Sequence, residues 1–143
     1  MDIGSTITGG TLIAAIVAAV SNFVVGGLWY SPLLFARPWM AYNGFTEEQL
    51  RSGGSMGKIF GLTFFAGLVA AFNLAMFVGP SASAGRGAML GFLVGFGWVA
   101  MAFASSYLFE RKTLGHWLIN AGYFVVSYTL MGVLVAVTRG LLG

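Results

Sequence analysis

The sequence predicts an all-α membrane protein, with four transmembrane helices and a structured interfacial loop between the first and the second. Two observations carry this. Of 143 residues, 58% are hydrophobic and only 8% are charged, about a third of the charged share of a soluble domain, which excludes a water-soluble fold. The charged residues also leave four runs free of Asp, Glu, Lys and Arg: Ile3 to Ala36, Ile59 to Gly85, Gly87 to Phe109 and Thr113 to Thr138. Each run exceeds the roughly 20 residues that a helix needs to cross about 30 Å of hydrocarbon. One four-helix domain over residues 1–143 is expected.

The first helix is expected over about residues 8–30, because Thr and Gly crowd its start and Ser31-Pro32 punctuates its end. Its run follows Asp2 with no Lys or Arg and is much longer than a signal-peptide core, so it reads as a membrane helix. The second helix is expected over 57–78, stopping at Gly79-Pro80, the third over 86–107 and the fourth over 114–137. The short turns Pro80 to Gly85 and Phe109 to Thr113 make the last three helices antiparallel neighbours.

The first connection, residues 31–56, has structure of its own. Thr46 and Gln49 fit a capping box, with Phe45 and Leu50 placed as a hydrophobic staple, so a short helix begins at Glu47 and ends before Gly53-Gly54. Pro38 suits the first position of another short turn through Trp39, Met40 and Tyr42, ended by Gly44. Trp29, Tyr30, Phe35, Trp39, Tyr42 and Phe45 place the loop at headgroup level, as an anchor or as a lid over a ligand.

Lys and Arg number five in loops one and three (Arg37, Arg51, Lys58, Arg111, Lys112) and two on the other side (Arg86, Arg139). The positive-inside rule then puts those loops in the cytoplasm and both termini outside. The basic residues form no stripe, so nucleic acid is not an expected partner; membrane lipid is.

Helices meet in lipid through small residues that let backbones approach. Gly87, Gly91 and Gly95 recur every four residues, and the same side is expected to continue through Trp98 and Ala102 as a helix-packing face. Gly57, Gly61, Ala66 and Ala70 on the second helix, and Ala15, Ala18, Asn22 and Gly26 on the first, can pack within one chain or between copies, making a homo-oligomer the expected assembly.

Polar groups inside these runs are the pointers to function, because an unpaired one costs several kcal/mol in hydrocarbon. His116, Asn120, Tyr123 and Ser127 share one stripe of the fourth helix; Leu118, Ile119, Val125 and Val126 offer an apolar outer surface. Asn22 and Asn73 are the other embedded amides, each on the small-residue side of its helix. Two readings stand: hydrogen-bonded glue between helices, or a ligand pocket lined by His116, Asn120, Tyr123, Asn22, Trp29 and Trp39, with Glu110 just above. No catalytic residue is assigned, and there is no cysteine. A lone histidine falls short of the three protein ligands of a catalytic zinc, so neither a metal nor another cofactor is expected.

The segments LWYSPLLFARPWMAYNGFTEEQL (Leu28 to Leu50) and YLFERKTLGHWLINAGYFVVSYTLMG (Tyr107 to Gly132) resemble the DUF1761 family of small bacterial membrane proteins, over essentially the whole chain. The resemblance maps the family's words onto Trp29, Tyr30, Pro32, Trp39, Glu47, Glu48, Tyr107, Glu110, Asn120 and Tyr123. Phe124 stands where the family pattern often has histidine. The resemblance implies four helices in a bacterial inner membrane and no particular activity.

The expected function is therefore that of a self-associating polytopic protein binding a lipid or small amphiphile at the cytoplasmic interface. The rivals are a small oligomeric transporter or channel, a membrane enzyme using Glu110, His116 and Tyr123 as acid, base and orienter, and an accessory subunit of a larger complex. Proton-coupled exchange needs a carboxylate within the bilayer, and the four runs contain none.

Overall fold

The computed structural model describes Gly4, residues 7–52, Gly54 and residues 56–142. Asp2, and Gly53 of the expected helix stop, lie outside the described residues. The elements, in order, are α1 (Gly9–Trp29), α2 (Ala36–Asn43), α3 (Glu47–Ser52), α4 (Met56–Val78), α5 (Ala84–Val94), a π-helical segment (Gly95–Ala100), α6 (Met101–Phe109) and α7 (Leu114–Leu142). No strand occurs among the described residues. Four apolar helices are long enough to cross a membrane: α1, α4, the combined Ala84–Phe109 and α7. The shortest, with 21 residues, spans about 30 Å.

Local chemistry sets the helix ends. Thr8 caps α1 reciprocally with Thr11, and Ser83 accepts from the Arg86 N–H at the start of α5. Thr46 and Gln49 form the expected capping box, each side chain bonded to the other's main-chain N–H at 3.0 and 3.2 Å. Upstream, α2 starts at Ala36, so Pro38 is its third residue; its missing N–H falls in the first turn, where no helical acceptor exists. Gly44 ends α2 in the left-handed region (φ 69°). The next N–H, from Phe45, reaches back to the Met40 carbonyl, and the Phe45 ring packs on Trp39 with centroids 5.6 Å apart. This is the apolar contact that accompanies a Schellman cap. The same pair of bonds closes α6, from Arg111 N–H to Leu108 O and Lys112 N–H to Tyr107 O, but here Arg111 takes the positive φ (56°) where glycine is usual.

The core is built from small residues. Ala14, Ala15, Ala18 and Ala19 of α1 meet Ala71, Leu74, Ala75 and Val78 of α4 and Met131, Val135 and Ala136 of α7. Helix α7 is the centre, packing against α1, α4 and the third span. The glycine row is spent on it. A Cβ on Gly87 would strike the Gly132 carbonyl and one on Gly132 the Gly87 carbonyl; Gly91 faces the Tyr128 carbonyl, and Gly95 that of Phe124 at 3.0 Å. The two backbones cross in contact, which only hydrogen side chains permit.

Several expectations about faces are corrected. The π turn puts one extra residue in the third span, so the buried row runs from Gly95 to Ala100 at a spacing of five, whereas Trp98 (61% exposed) and Ala102 point outward. Asn73 is exposed on α4, as are Gly61 and Ala66; its amide nitrogen donates to Val69 O of its own helix. Ile119 is buried, not lipid-facing, while Leu118 and Val126 are exposed. Arg139, read as an interface charge, is 1% exposed and donates from Nη1 to the Ala75 carbonyl, because α7 continues to Leu142 and carries it inside the bundle.

Candidate functional site

The α7 stripe is directed into the protein, with His116, Tyr123 and Ser127 buried and Asn120 half-buried. The polar atoms of Asn120, Tyr123 and Ser127 are consumed in bonds through two amides that tie the helices. The Tyr123 hydroxyl lies 2.9 Å from both the main-chain and the side-chain oxygen of Asn22, and Ser127 donates to that side-chain oxygen at 2.6 Å. Gly67 on α4 leaves the space for the Asn22 amide: a Cβ there would lie 2.8 Å from its nitrogen. Asn120 accepts from the Tyr30 hydroxyl at 2.8 Å and donates to the Tyr107 hydroxyl at 2.6 Å, joining α1, α6 and α7.

The loop is fastened to α7. Trp29 donates from its indole to the Ile119 carbonyl at 2.9 Å and lies along Gly122. Tyr42 of α2 stacks on His116 (centroids 5.7 Å, planes 10° apart) and fills the notch left by Gly115. Beside it, Tyr107 meets the His116 ring at 5.1 Å and lies 4.4 Å beneath the Lys112 ammonium. Lys112 pairs with Glu110 at 2.8 Å, and Ser106 donates to the same carboxylate. The hydrogen bond from Lys112, then that from Ser106, holds the Glu110 carboxyl below its usual range, while the bond to Glu110 raises the Lys112 ammonium. Glu110, His116 and Tyr123 thus each serve a different set of partners. No group of three or more His, Asp or Glu that could hold a metal occurs among the described residues.

With the loop pinned on the α7 side, its other side stands over a gap between α1 and α4. These helices touch where Asn22 meets Gly67 and where Phe23 meets Phe64, with centroids 6.1 Å apart. Towards the loop they enclose a cleft of about 1230 Å³. Phe23, Gly26, Gly27 and Tyr30 form one wall, Met56, Ile59, Phe60 and Thr63 the other; Trp39, Phe45 and Leu50 roof it, with Asn43, Gln49 and Ser52 at the roof and Tyr123 behind. Of the pocket residues expected from sequence, Trp39 and Tyr123 line this cleft. Asn22, Trp29, Glu110, His116 and Asn120 stand off it, holding its frame.

A profile of proteins of unknown function, DUF1761, matches residues 13–136, most of the chain. The chain belongs to the DUF1761 family. No curated protein and no solved structure matches it. Within this DUF1761 chain the residues that sequence reasoning missed are the cleft walls, above all Gly27, Ile59, Phe60 and Thr63. Gly26-Gly27 just before the aromatic Trp29-Tyr30 was the available signal, since adjacent glycines clear a helix flank next to rings.

Proposed function

We propose that this DUF1761 protein is a bilayer-embedded binding protein that takes a lipid or small amphiphile into the cleft between α1, the loop helices and α4. The cleft itself carries this reading. Its walls are apolar at Phe23, Ile59 and Phe60, and its roof carries the uncharged polar groups of Asn43, Gln49 and Ser52. An amphiphile has the same polarity gradient: tail between the helices, polar group under the loop. The charge count supports a cytoplasmic position for the loop end. The enzyme reading is not favoured, because Glu110, His116 and Tyr123 have separate partners. Gly27→Leu tests the proposal. A Cβ on Gly27 meets nothing within 4 Å, so leucine projects into the cleft and obstructs it without opening the bundle. Mass spectrometry of organic extracts should find a stoichiometric amphiphile on the wild type and none on Gly27→Leu; identical extracts would reject the reading.

A second reading, self-association, is favoured by Asn73. Its amide faces outward from a membrane-crossing helix, and among the described residues its carbonyl oxygen accepts no hydrogen bond. A second copy offering its own Asn73 would satisfy both amides. Sedimentation in detergent should show a dimer for the wild type and less of it for Asn73→Leu; a monomeric wild type rejects it.

A further inference from the structure

Building on the amphiphile reading, we infer that the cleft takes an uncharged, carbonyl-bearing ring with an apolar tail, the chemistry of an isoprenoid quinone. Three observations lead there. First, none of the described residues lining the cleft is Asp, Glu, Lys, Arg or His. An anionic phospholipid headgroup would leave a charge without a counter-ion in a low-dielectric site, whereas an uncharged ring carries no such penalty. Second, the loop end of the cleft is a box of rings. Tyr30 meets Trp39 edge-on at 5.6 Å and Tyr123 at 5.5 Å, and Trp39 meets Phe45 at 5.6 Å. The hydroxyls of Tyr30 and Tyr123 are bonded to Asn120 and Asn22, which stand off the cleft, so the phenols contribute ring surface to it. Aromatic rings pair with a flat ring by offset or edge contacts, a gain that an acyl ester does not share.

Third, an indole donor is unspent. The indoles of Trp29 and Trp117 donate to the carbonyls of Ile119 and Ala100. Trp39 lines the cleft, and its indole N–H has no acceptor among the described residues. A buried or half-buried tryptophan usually finds a partner for that group, and a ring carbonyl supplies one. Towards the bilayer, Phe23 and Phe60 bridge α1 and α4 edge-on at 5.9 Å and both remain exposed, so a tail leaving the box runs over this apolar pair into lipid. The volume, about 1230 Å³, exceeds the 300–1,000 Å³ of ordinary small-ligand pockets and leaves room for a ring and part of its tail.

The test is equilibrium binding to the detergent-purified full chain with three probes: a decyl-substituted benzoquinone, decanol and phosphatidylglycerol. The quinone should bind saturably at one per chain, at least ten-fold tighter than decanol. Trp39→Phe, which keeps a ring and removes the donor, should weaken it about five-fold, as expected for one lost hydrogen bond, and Gly27→Leu should abolish it. Decanol matching the quinone would overturn the ring, and an unchanged affinity in folded Trp39→Phe would overturn the donor. Phosphatidylglycerol bound in place of the quinone, and lost in Gly27→Leu, would overturn this inference while sustaining the amphiphile reading. Failure of all three probes, with nothing in the organic extract, would overturn both.

Discussion

Gly91 faces the Tyr128 carbonyl so closely that a methyl group placed there would clash with that oxygen. Gly91→Ala therefore forces α5 and α7 apart along the whole row, since the neighbouring obstacles are backbone atoms that cannot rotate aside. Overpacking of this kind costs about 1–3 kcal/mol, and backbone against backbone belongs at the upper end. Against it, alanine gains about 1 kcal/mol over glycine in a helix. Gly61→Ala is the matched control, because nothing lies within 4 Å of its added carbon. The propensity gain is common to both variants and cancels in their difference. Gly91→Ala should therefore unfold about 2–3 kcal/mol more easily than Gly61→Ala, and Gly91→Leu should fail to fold. Titration with a denaturing detergent, followed by circular dichroism, measures the difference. Equal stability of the two alanine variants would show that the row does not bear on α7 and refute the packing argument.

Arg111→Gly should stabilise the protein by about 1 kcal/mol, because the left-handed conformation at φ 56° strains a residue with a side chain; chemical denaturation in detergent checks it. Asn120→Leu leaves the Tyr30 and Tyr107 hydroxyls without their partner and should cost about 1–2 kcal/mol, while bound amphiphile, measured on the same sample, stays proportional to the folded fraction. Loss of binding at full stability would instead make Asn120 a ligand contact. For topology, single cysteines at Ser52 and Thr113 should be shielded from an impermeant thiol reagent in intact cells and one at Ser83 should react, with the reverse pattern contradicting the charge count.

The four spans were legible because lipid imposes length and apolarity, and the loop helix at Glu47 because a capping box is written in adjacent residues. Which face each helix turns inward was much less legible. A helix in lipid is apolar on both sides, so the 3.6-residue period that marks a soluble core is muted; Ile119 and Asn73 were each placed on the wrong side for that reason. The π turn has no local signature: Gly87, Gly91 and Gly95 promise a row that the extra residue then redirects to Ala100, leaving Trp98 outside. Arg139 was misread because charge near the end of an apolar run normally marks an interface, and only the continuation of α7 to Leu142 reveals otherwise. The α7 stripe was readable as inward-facing. What it does was not, since its partners, Asn22, Tyr30 and Tyr107, come from helices distant in sequence.

The helix at the centre of the bundle follows the other three spans in the chain. Asn22 enters the bilayer long before Tyr123, 101 residues downstream, exists to bond it. At the ribosome's pace of about 5–20 residues per second, that delay is roughly 5–20 s. During it α1 can settle only against α4, through the alanine face and the Gly67 notch, and the glycine side of the third span has no surface to meet. A chain truncated before Leu114 should consist of a loosely paired α1–α4 hairpin and a free third span, each still open to chaperones and proteases of the membrane. Maturation is then a single late event, the arrival of α7, which closes the polar groups of three earlier helices at once.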